Sequence, residues 1–284
     1  TIIMVLKQKR TENDVLIIDA SKGFIKEGKN NKLRASDIKR IVDTVTRREN
    51  IDKFSRVVSR DEIRANDYNL NIPRYVDSSE EADSWDIYAS MFGGLPMSEI
   101  DRLKDYWKAF PNLKKAIFEN TSDMYCTLVT TDIKKAIKEH SDVRAFESKF
   151  QSAFGSLNEY LYDELIAKME SINISKAEEG LSANIFARMS EIPLVDKYEA
   201  YQLLDDDWAK IAVDLEIIQT EGFEATKVVD PNMVVKKKGN TEQEVQEGWK
   251  GHIIPFDLIQ DTVLATDKQA IKEKESRLSE IASE

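Results

Sequence analysis

The chain has 284 residues, of which 41% are hydrophobic and 33% are charged, and its formal net charge is −11. This composition is typical of a globular protein, and the length allows one large domain or two ordinary ones. No apolar run approaches the ~20 residues of a membrane-spanning helix, and no signal peptide opens the chain. We therefore expect a cytoplasmic protein without membrane contact.

Metal and disulfide chemistry have little support in the sequence. The single Cys126 excludes an internal disulfide, and His140 and His252 are the only histidines. These are too few soft ligands for a zinc cluster, so we predict no metal site. Because the net charge is acidic, any contact with DNA is expected to be local, either a basic patch on an acidic body or a minor share of the contacts of a larger complex.

Two apolar runs rich in β-branched residues open the chain, at residues 1–7 and 14–19. The polar segment between them predicts a β-hairpin with a long turn. Both runs are apolar at consecutive positions, which is typical of strands that are covered on both faces. Thr1 is not an initiator methionine, so we expect the natural chain to begin well before it.

An amphipathic helix follows, because apolar residues recur at helical spacing from Ile38 to Val45. Ser36 or Asp37 is the expected cap of this helix.

A polar and aromatic turn then contains Asn69, Asn71, Arg74 and Tyr75. Two amides, a guanidinium and a phenol can bind phosphate oxygens or base edges, so these four residues are candidate DNA contacts. The alternative is that the Asn side chains and Pro73 shape the turn while Tyr75 packs in the core.

The composition changes after Asp77 to acidic and small residues, which indicates a linker over residues 78–95. A helical domain is predicted over residues 96–284, including an apolar stripe from Val143 to Leu165 that Asp142 would cap. A small β insert is expected near residues 223–238.

A final helix is predicted over residues 257–284. Leu264, Ile271 and Leu278 recur in it every seven residues among charged positions. This seam is too narrow to fold alone, and it predicts packing against a partner helix.

Three segments resemble the modification subunit of type I restriction-modification systems, in the order of that family. They are VLIIDAS at residues 15–21, FSRVVS at 54–59 and DYNLNIPRYVD at 67–77. The segment IPLVDKYEAYQ at residues 192–202 is similar to long forms of the same subunit.

The resemblance implies a DNA adenine-N6 methyltransferase that uses S-adenosylmethionine. Its partners would be DNA, the specificity subunit, a second modification subunit and the restriction subunit. Residues 1–77 would end the catalytic core. The resulting fold class is mainly α: a helical domain preceded by the terminal β-hairpin of a Rossmann-like class I methyltransferase sheet.

The catalytic motifs of such an enzyme are not found in this sequence. Gly93 and Gly94 follow no predicted strand, and residues 71–75 lack the consecutive prolines of the family's catalytic tetrapeptide. We therefore predict that this chain has no catalytic or cofactor-binding residue, binds no S-adenosylmethionine alone and is inactive.

Two functions remain open from the sequence. The resemblance favours the C-terminal part of a modification subunit, which scaffolds the core and binds the specificity subunit and DNA. The alternative is a free-standing helical adaptor without catalysis, and the acidic charge and the seven-residue seam favour it.

Overall fold

The computed structural model describes residues 2–79, 85–238 and 241–283. Its contacts group the chain into two compact units, one of residues 1–156 with 181–205, the other of residues 157–180 with 206–284. Helices predominate and the sheets have two or three strands each in the described residues, which confirms a mainly α chain.

The helices and strands of the first part of the chain are short. In chain order they are β1 Asp14–Ile18, β2 Ile25–Glu27, β3 Asn30–Lys32, α1 Ala35–Arg47, β4 Ser55–Ser59, α2 Arg60–Ala65, α3 Ile87–Phe92, β5 Leu95–Pro96, α4 Met97–Arg102, α5 Lys104–Ala109, α6 Leu113–Ile117, β6 Phe118–Asn120, β7 Tyr125–Leu128, α7 Ile133–Glu139 and α8 Ser141–Phe154.

The second part of the chain contains the longest helices and strands. They are α9 Leu157–Leu161, α10 Ile174–Met189, α11 Lys197–Glu221, β8 Val229–Lys238, β9 Thr241–Gly251, α12 Phe256–Thr262 and α13 Ala265–Ser283. In the described residues, no helix is both long enough and apolar enough to cross a lipid bilayer.

Strand β1 pairs antiparallel with β4, so that Leu16 lies opposite Val57. The predicted hairpin between residues 1–7 and 14–19 is therefore corrected, because residues 2–7 form no strand. The apolar side chains of residues 2–6 are 67–86% exposed. A strand that is apolar on both faces needs covering layers, and the described residues supply none for this segment.

The β1–β4 pair carries a small core. Ile17 and Val58 project from the two strands and pack with Ile63 of α2 and with Tyr75 and Val76. Burial of a side chain such as Ile63 contributes about 2 kcal/mol. This cluster therefore holds the segment after α2 against the strand pair.

Helix α1 begins after Arg34, whose backbone amide donates to the Asp37 carboxylate at 2.9 Å. The helix therefore begins earlier than predicted, with Arg34 rather than Ser36 or Asp37 at the cap position. Asp37 lies in the first turn, and Ser36 is buried with its amide donating to the Gln202 side chain at 3.0 Å. The apolar residues at 38, 42 and 45 are exposed, because the opposite face of the helix packs with Phe186, Tyr198 and Tyr201.

The predicted linker over residues 78–95 contains helix α3 and falls inside the first unit, and residues 80–84 lie outside the described part of the chain. A second apolar cluster in this unit is formed by Phe110, Leu113 and Ile117. The rings of Phe110 and Phe146 meet edge to face at 5.6 Å. The division into domains remains a prediction.

The predicted stripe from Val143 to Leu165 is not one helix, since α8 ends before Gly155 and a π-helical turn occupies Tyr162–Ile166. His140, rather than Asp142, caps α8, because its Nδ1 atom accepts from the Asp142 amide at 3.1 Å. The Asp142 carboxylate accepts hydrogen bonds from Asn112, and these bonds lower its pKa.

In the second unit, the β insert predicted near residues 223–238 is a longer hairpin of β8 and β9, which pairs Val229 with Gly251. The predicted tail helix over residues 257–284 is divided into α12 and α13, and Glu284 lies outside the described residues. Leu264 lies at the division, where its amide donates to the Ile259 oxygen at 3.0 Å.

Candidate nucleic-acid interface

The turn after α2 reverses the chain through two residues in the left-handed region. Asp67 and Tyr68 have φ values of 55° and 57°. This conformation costs a non-glycine residue about 1 kcal/mol, and such residues concentrate at functional sites. The Tyr68 amide donates to the Ile63 oxygen at 2.9 Å and fixes the reversal.

Tyr75 supports this turn from inside. Its side chain is 5% exposed in the cluster with Ile17 and Val58, and its hydroxyl donates to the Asn69 backbone oxygen at 2.6 Å. The ring therefore cannot face a ligand, and the structure corrects the assignment of Tyr75 to the DNA contacts. Its role is the one in the alternative interpretation, because an apolar ring with a polar tip suits a buried anchor.

The other three predicted contacts, Asn69, Asn71 and Arg74, are exposed on the same turn. The Asn69 side-chain oxygen accepts from the Asn71 amide at 2.9 Å, so Asn69 shapes the turn. Arg74 donates one hydrogen bond to the Asn66 side chain at 3.2 Å. A guanidinium has five N–H donors, so most of the Arg74 fork is available to an acceptor.

Sequence reasoning missed three neighbours of this turn, Arg60, Arg64 and Tyr68. Tyr68 is 61% exposed, and the Arg64 Nε atom donates to its hydroxyl at 3.3 Å. Arg60 is exposed and makes no hydrogen bond or ion pair with the described residues. The signal was present, since positions 60 and 64 share one face of α2. An exposed ring among cations is the combination that stacks on bases and binds phosphates.

The charge of this region is opposite to that of the whole chain. Residues 22–74 contain fourteen Lys and Arg but eight Asp and Glu, in a chain with a net charge of −11. Some of these cations are paired, as in Arg34 with Glu199 at 2.8 Å and Arg56 with Glu62 at 2.8 Å. The excess is a local basic region of the kind that binds a polyanion.

The predicted partner-binding residues lie on the tail, which belongs to the second unit. Leu264, Ile271 and Leu278 are 43%, 57% and 67% exposed. Ile281, which the prediction omitted, is also exposed and follows Leu278 by three positions. Ile271, Leu278 and Ile281 lie on one face of α13, whereas Leu264 precedes this helix.

Within residues 2–79, 85–238 and 241–283, no three His, Cys, Asp or Glu side chains are grouped to hold a metal ion. Cys126 is buried, and burial raises the pKa of its thiol. A buried thiol with a raised pKa is a poor nucleophile.

Comparisons with known proteins find similarity over part of the chain, and the family match includes the turn after α2. Residues 1–84 match the family model described as N-6 DNA Methylase. The type I restriction enzyme MpnII methylase subunit of Mycoplasma pneumoniae is 39% identical over 88 residues, which are 31% of this chain and 16% of that protein. The MjaVIII methylase subunit of Methanocaldococcus jannaschii is 36% identical over 120 residues, 40% of this chain and 20% of that protein.

A solved structure is also similar in sequence, the type I restriction-modification system methyltransferase subunit from Streptococcus thermophilus. It is 50% identical, with 26% of this chain and 16% of that chain covered and a TM-score of 0.26. The sequence matches confirm the resemblance of part of this chain to type I methylase subunits. The chain spans a fifth or less of the length of the relatives it matches.

Proposed function

We propose that this chain is the C-terminal part of the modification subunit of a type I restriction-modification enzyme. The observation that carries the proposal is the match of residues 1–84 to N-6 DNA methylases, in which the β1–β4 pair and the turn after α2 lie. The parent protein would methylate adenine N6 in DNA and would assemble with a specificity subunit, a second modification subunit and a restriction subunit.

The parent would take the methyl group from S-adenosylmethionine. The groove of about 280 Å³ beside β1 does not fit that cofactor, because it is lined mainly by charged side chains. Cofactor pockets are commonly about 300–1,000 Å³ and mostly apolar. No step of methyl transfer is therefore assigned to a residue of this chain.

The role proposed for the first unit is to hold DNA beside the catalytic core. Arg60, Arg64 and Arg74 would bind backbone phosphates, and Tyr68 would stack on a base. Asn71 would donate to a phosphate or a base edge, while Asn69 and Tyr75 set the shape of the turn. Support comes from the exposure of these side chains and from the local excess of positive charge.

The role proposed for the tail is to bind the specificity subunit. Ile271, Leu278 and Ile281 are exposed on α13 among charged, polar and alanine positions, and Leu264 is exposed just before this helix. A partner helix would bury such a seam. The exposed apolar residues of segment 2–6 support membership of a larger assembly over a free-standing adaptor.

Two measurements test the proposal. Fluorescence anisotropy of labelled duplex DNA, titrated with this chain at several salt concentrations, is expected to show salt-dependent binding. Size exclusion with light scattering, on the chain alone and mixed with the specificity subunit, is expected to show a complex. Failure of both would contradict the proposed roles of this chain.

A further inference from the structure

A groove of about 280 Å³ lies beside the start of α1 in the first unit. The loop after β1, the first turns of α1 and the turn before β4 form its walls. The charged side chains that line it are Lys22, Arg34, Arg40, Lys53, Asp19, Asp37 and Asp52. Gly23 allows the close approach of the loop, because a Cβ atom there would lie 2.9 Å from the Asp37 Oδ1 atom.

Two of the three carboxylates in the groove are already engaged. Asp19 accepts from the Ser21 amide at 3.0 Å and from the Ser78 hydroxyl at 2.6 Å. Asp37 accepts from the backbone and side chain of Arg34, at 2.9 Å and 3.2 Å. Asp52 is exposed.

Arg40 differs from Asp19 and Asp37, because its side chain lacks a hydrogen-bond partner among the described residues. Its guanidinium carbon lies 4.2 Å from the centroid of the Phe54 ring and 5.9 Å from that of Tyr198. Its Nε atom is buried, and no donor of its side chain finds an acceptor among the described residues. The Asp43 carboxylate on the same helix is engaged by Lys39 at 3.2 Å and Tyr198 at 3.3 Å.

An arginine in this state is held in place without being neutralised. Stacking on Phe54 fixes the plane of the guanidinium, and the Arg40 side chain is part of the lining of the groove. A planar fork of this kind matches two oxygens of a phosphate group, and a charge-assisted pair would satisfy donors that are costly to leave unbonded.

We propose that this groove is a phosphate-binding site in which Arg40 is the principal ligand and Lys53 adds positive charge. The proposal rests on the proposed function in one respect, since it takes the phosphate to be a phosphodiester of the bound DNA. A free phosphate ion has the same recognition chemistry, and the experiment below separates the two sources.

The first measurement uses the ¹⁵N-labelled chain and inorganic phosphate, with sodium chloride at equal ionic strength as reference. The Arg40 Nε–Hε resonance is expected to shift saturably with phosphate alone. In Arg40→Gln, the other resonances around the groove are expected to lose their saturable, phosphate-dependent shifts. Arg47→Gln is the matched control, because Arg47 lies two turns later on α1 and is paired with Asp43 at 3.7 Å.

A second variant guards against loss of folding. Arg40→Lys keeps a cation over Phe54 but lacks the fork, so it is expected to bind phosphate at least fivefold more weakly than the wild type with an unchanged amide spectrum. The proposed phosphate site would be contradicted by resonance shifts in chloride equal to those in phosphate. It would also be contradicted by an equal phosphate affinity of the wild type and all variants.

The second measurement identifies the source of the phosphate. With duplex DNA, Arg40→Gln is expected to lower affinity about tenfold and to reduce the salt slope by about 0.9, the value for one phosphate contact. An unchanged DNA affinity with intact phosphate binding would overturn the assignment to DNA. If the wild-type chain binds no DNA, the proposed DNA-binding role of the first unit fails, while the phosphate titration still tests phosphate binding in the groove.

Discussion

The hydroxyl of Tyr75 donates a 2.6 Å hydrogen bond to the backbone oxygen of Asn69, across the turn that carries the candidate DNA contacts. One end of Tyr75 thus packs with the strand pair, and the other fixes where Asn69 and its neighbours lie. The core of this region and the geometry of its exposed face therefore depend on the same side chain.

Tyr75→Phe is expected to destabilise the first unit by about 1 kcal/mol, because it removes one hydrogen bond and leaves the ring packed. The measurement is the urea midpoint of unfolding, monitored through hydrogen exchange of the backbone amides of β1 and β4. Tyr68→Phe is the control, since the Tyr68 hydroxyl is exposed and its loss is expected to cost less than 0.5 kcal/mol. Equal midpoints for wild type and Tyr75→Phe would contradict the anchoring role.

Arg74→Ala is expected to weaken DNA binding by this chain five- to tenfold and, in the full-length enzyme, to reduce methyl transfer more than stability. The reason is that Arg74 makes one 3.2 Å hydrogen bond within the turn and presents the rest of its fork to solvent. Anisotropy and thermal melting measure the two effects. Lys104→Ala on α5 is the charge-matched control, and a variant with unchanged affinity and turnover would remove Arg74 from the interface.

Replacement of Leu264, Ile271 and Leu278 with Ser is expected to weaken binding to the specificity subunit at least tenfold while the fold is retained. These side chains are exposed in this chain, so their loss removes apolar area only from a complex. Light scattering and circular dichroism report the two properties. If the triple variant still binds the specificity subunit with the wild-type affinity, the proposal that the tail is the partner-binding site is contradicted.

The pH dependence of the β8–β9 hairpin follows from His252. Its Nδ1 atom lies 2.6 Å from the Asp230 carboxylate and its Nε2 atom 3.3 Å from that of Glu221, and the hydrogen bond with Asp230 is the main cause of a raised pKa. The stabilisation is complete below the unfolded pKa of about 6.5 and is lost as pH rises through the higher folded value.

NMR titration of the His252 ring is therefore expected to give a pKa above 6.5, and hydrogen exchange of the hairpin is expected to quicken as pH rises through it, beyond the intrinsic rate. Asp230→Asn is expected to lower that pKa, because it removes the first of the two carboxylates. A wild-type value at or below 6.5 would show that the two ion pairs do not form in solution.

The sequence predicted the helical character, the apolar run at β1 and the turn at residues 69–75, since these depend on local periodicity and turn-forming residues. It did not predict which strand pairs with β1. The apolar pattern of residues 1–7 and that of β4 both suit such a partner, and only the tertiary arrangement selects β4.

The roles of individual side chains divide in the same way. The sequence by itself determined that Asn69, Asn71 and Arg74 share one turn and that the tail carries an apolar seam, because spacing along the chain fixes both. Only the tertiary structure decided that Tyr75 is buried while Tyr68 is exposed, and that Arg40 stacks on Phe54 without an acceptor. Burial and pairing depend on residues far apart in the sequence, whose meeting no local pattern specifies.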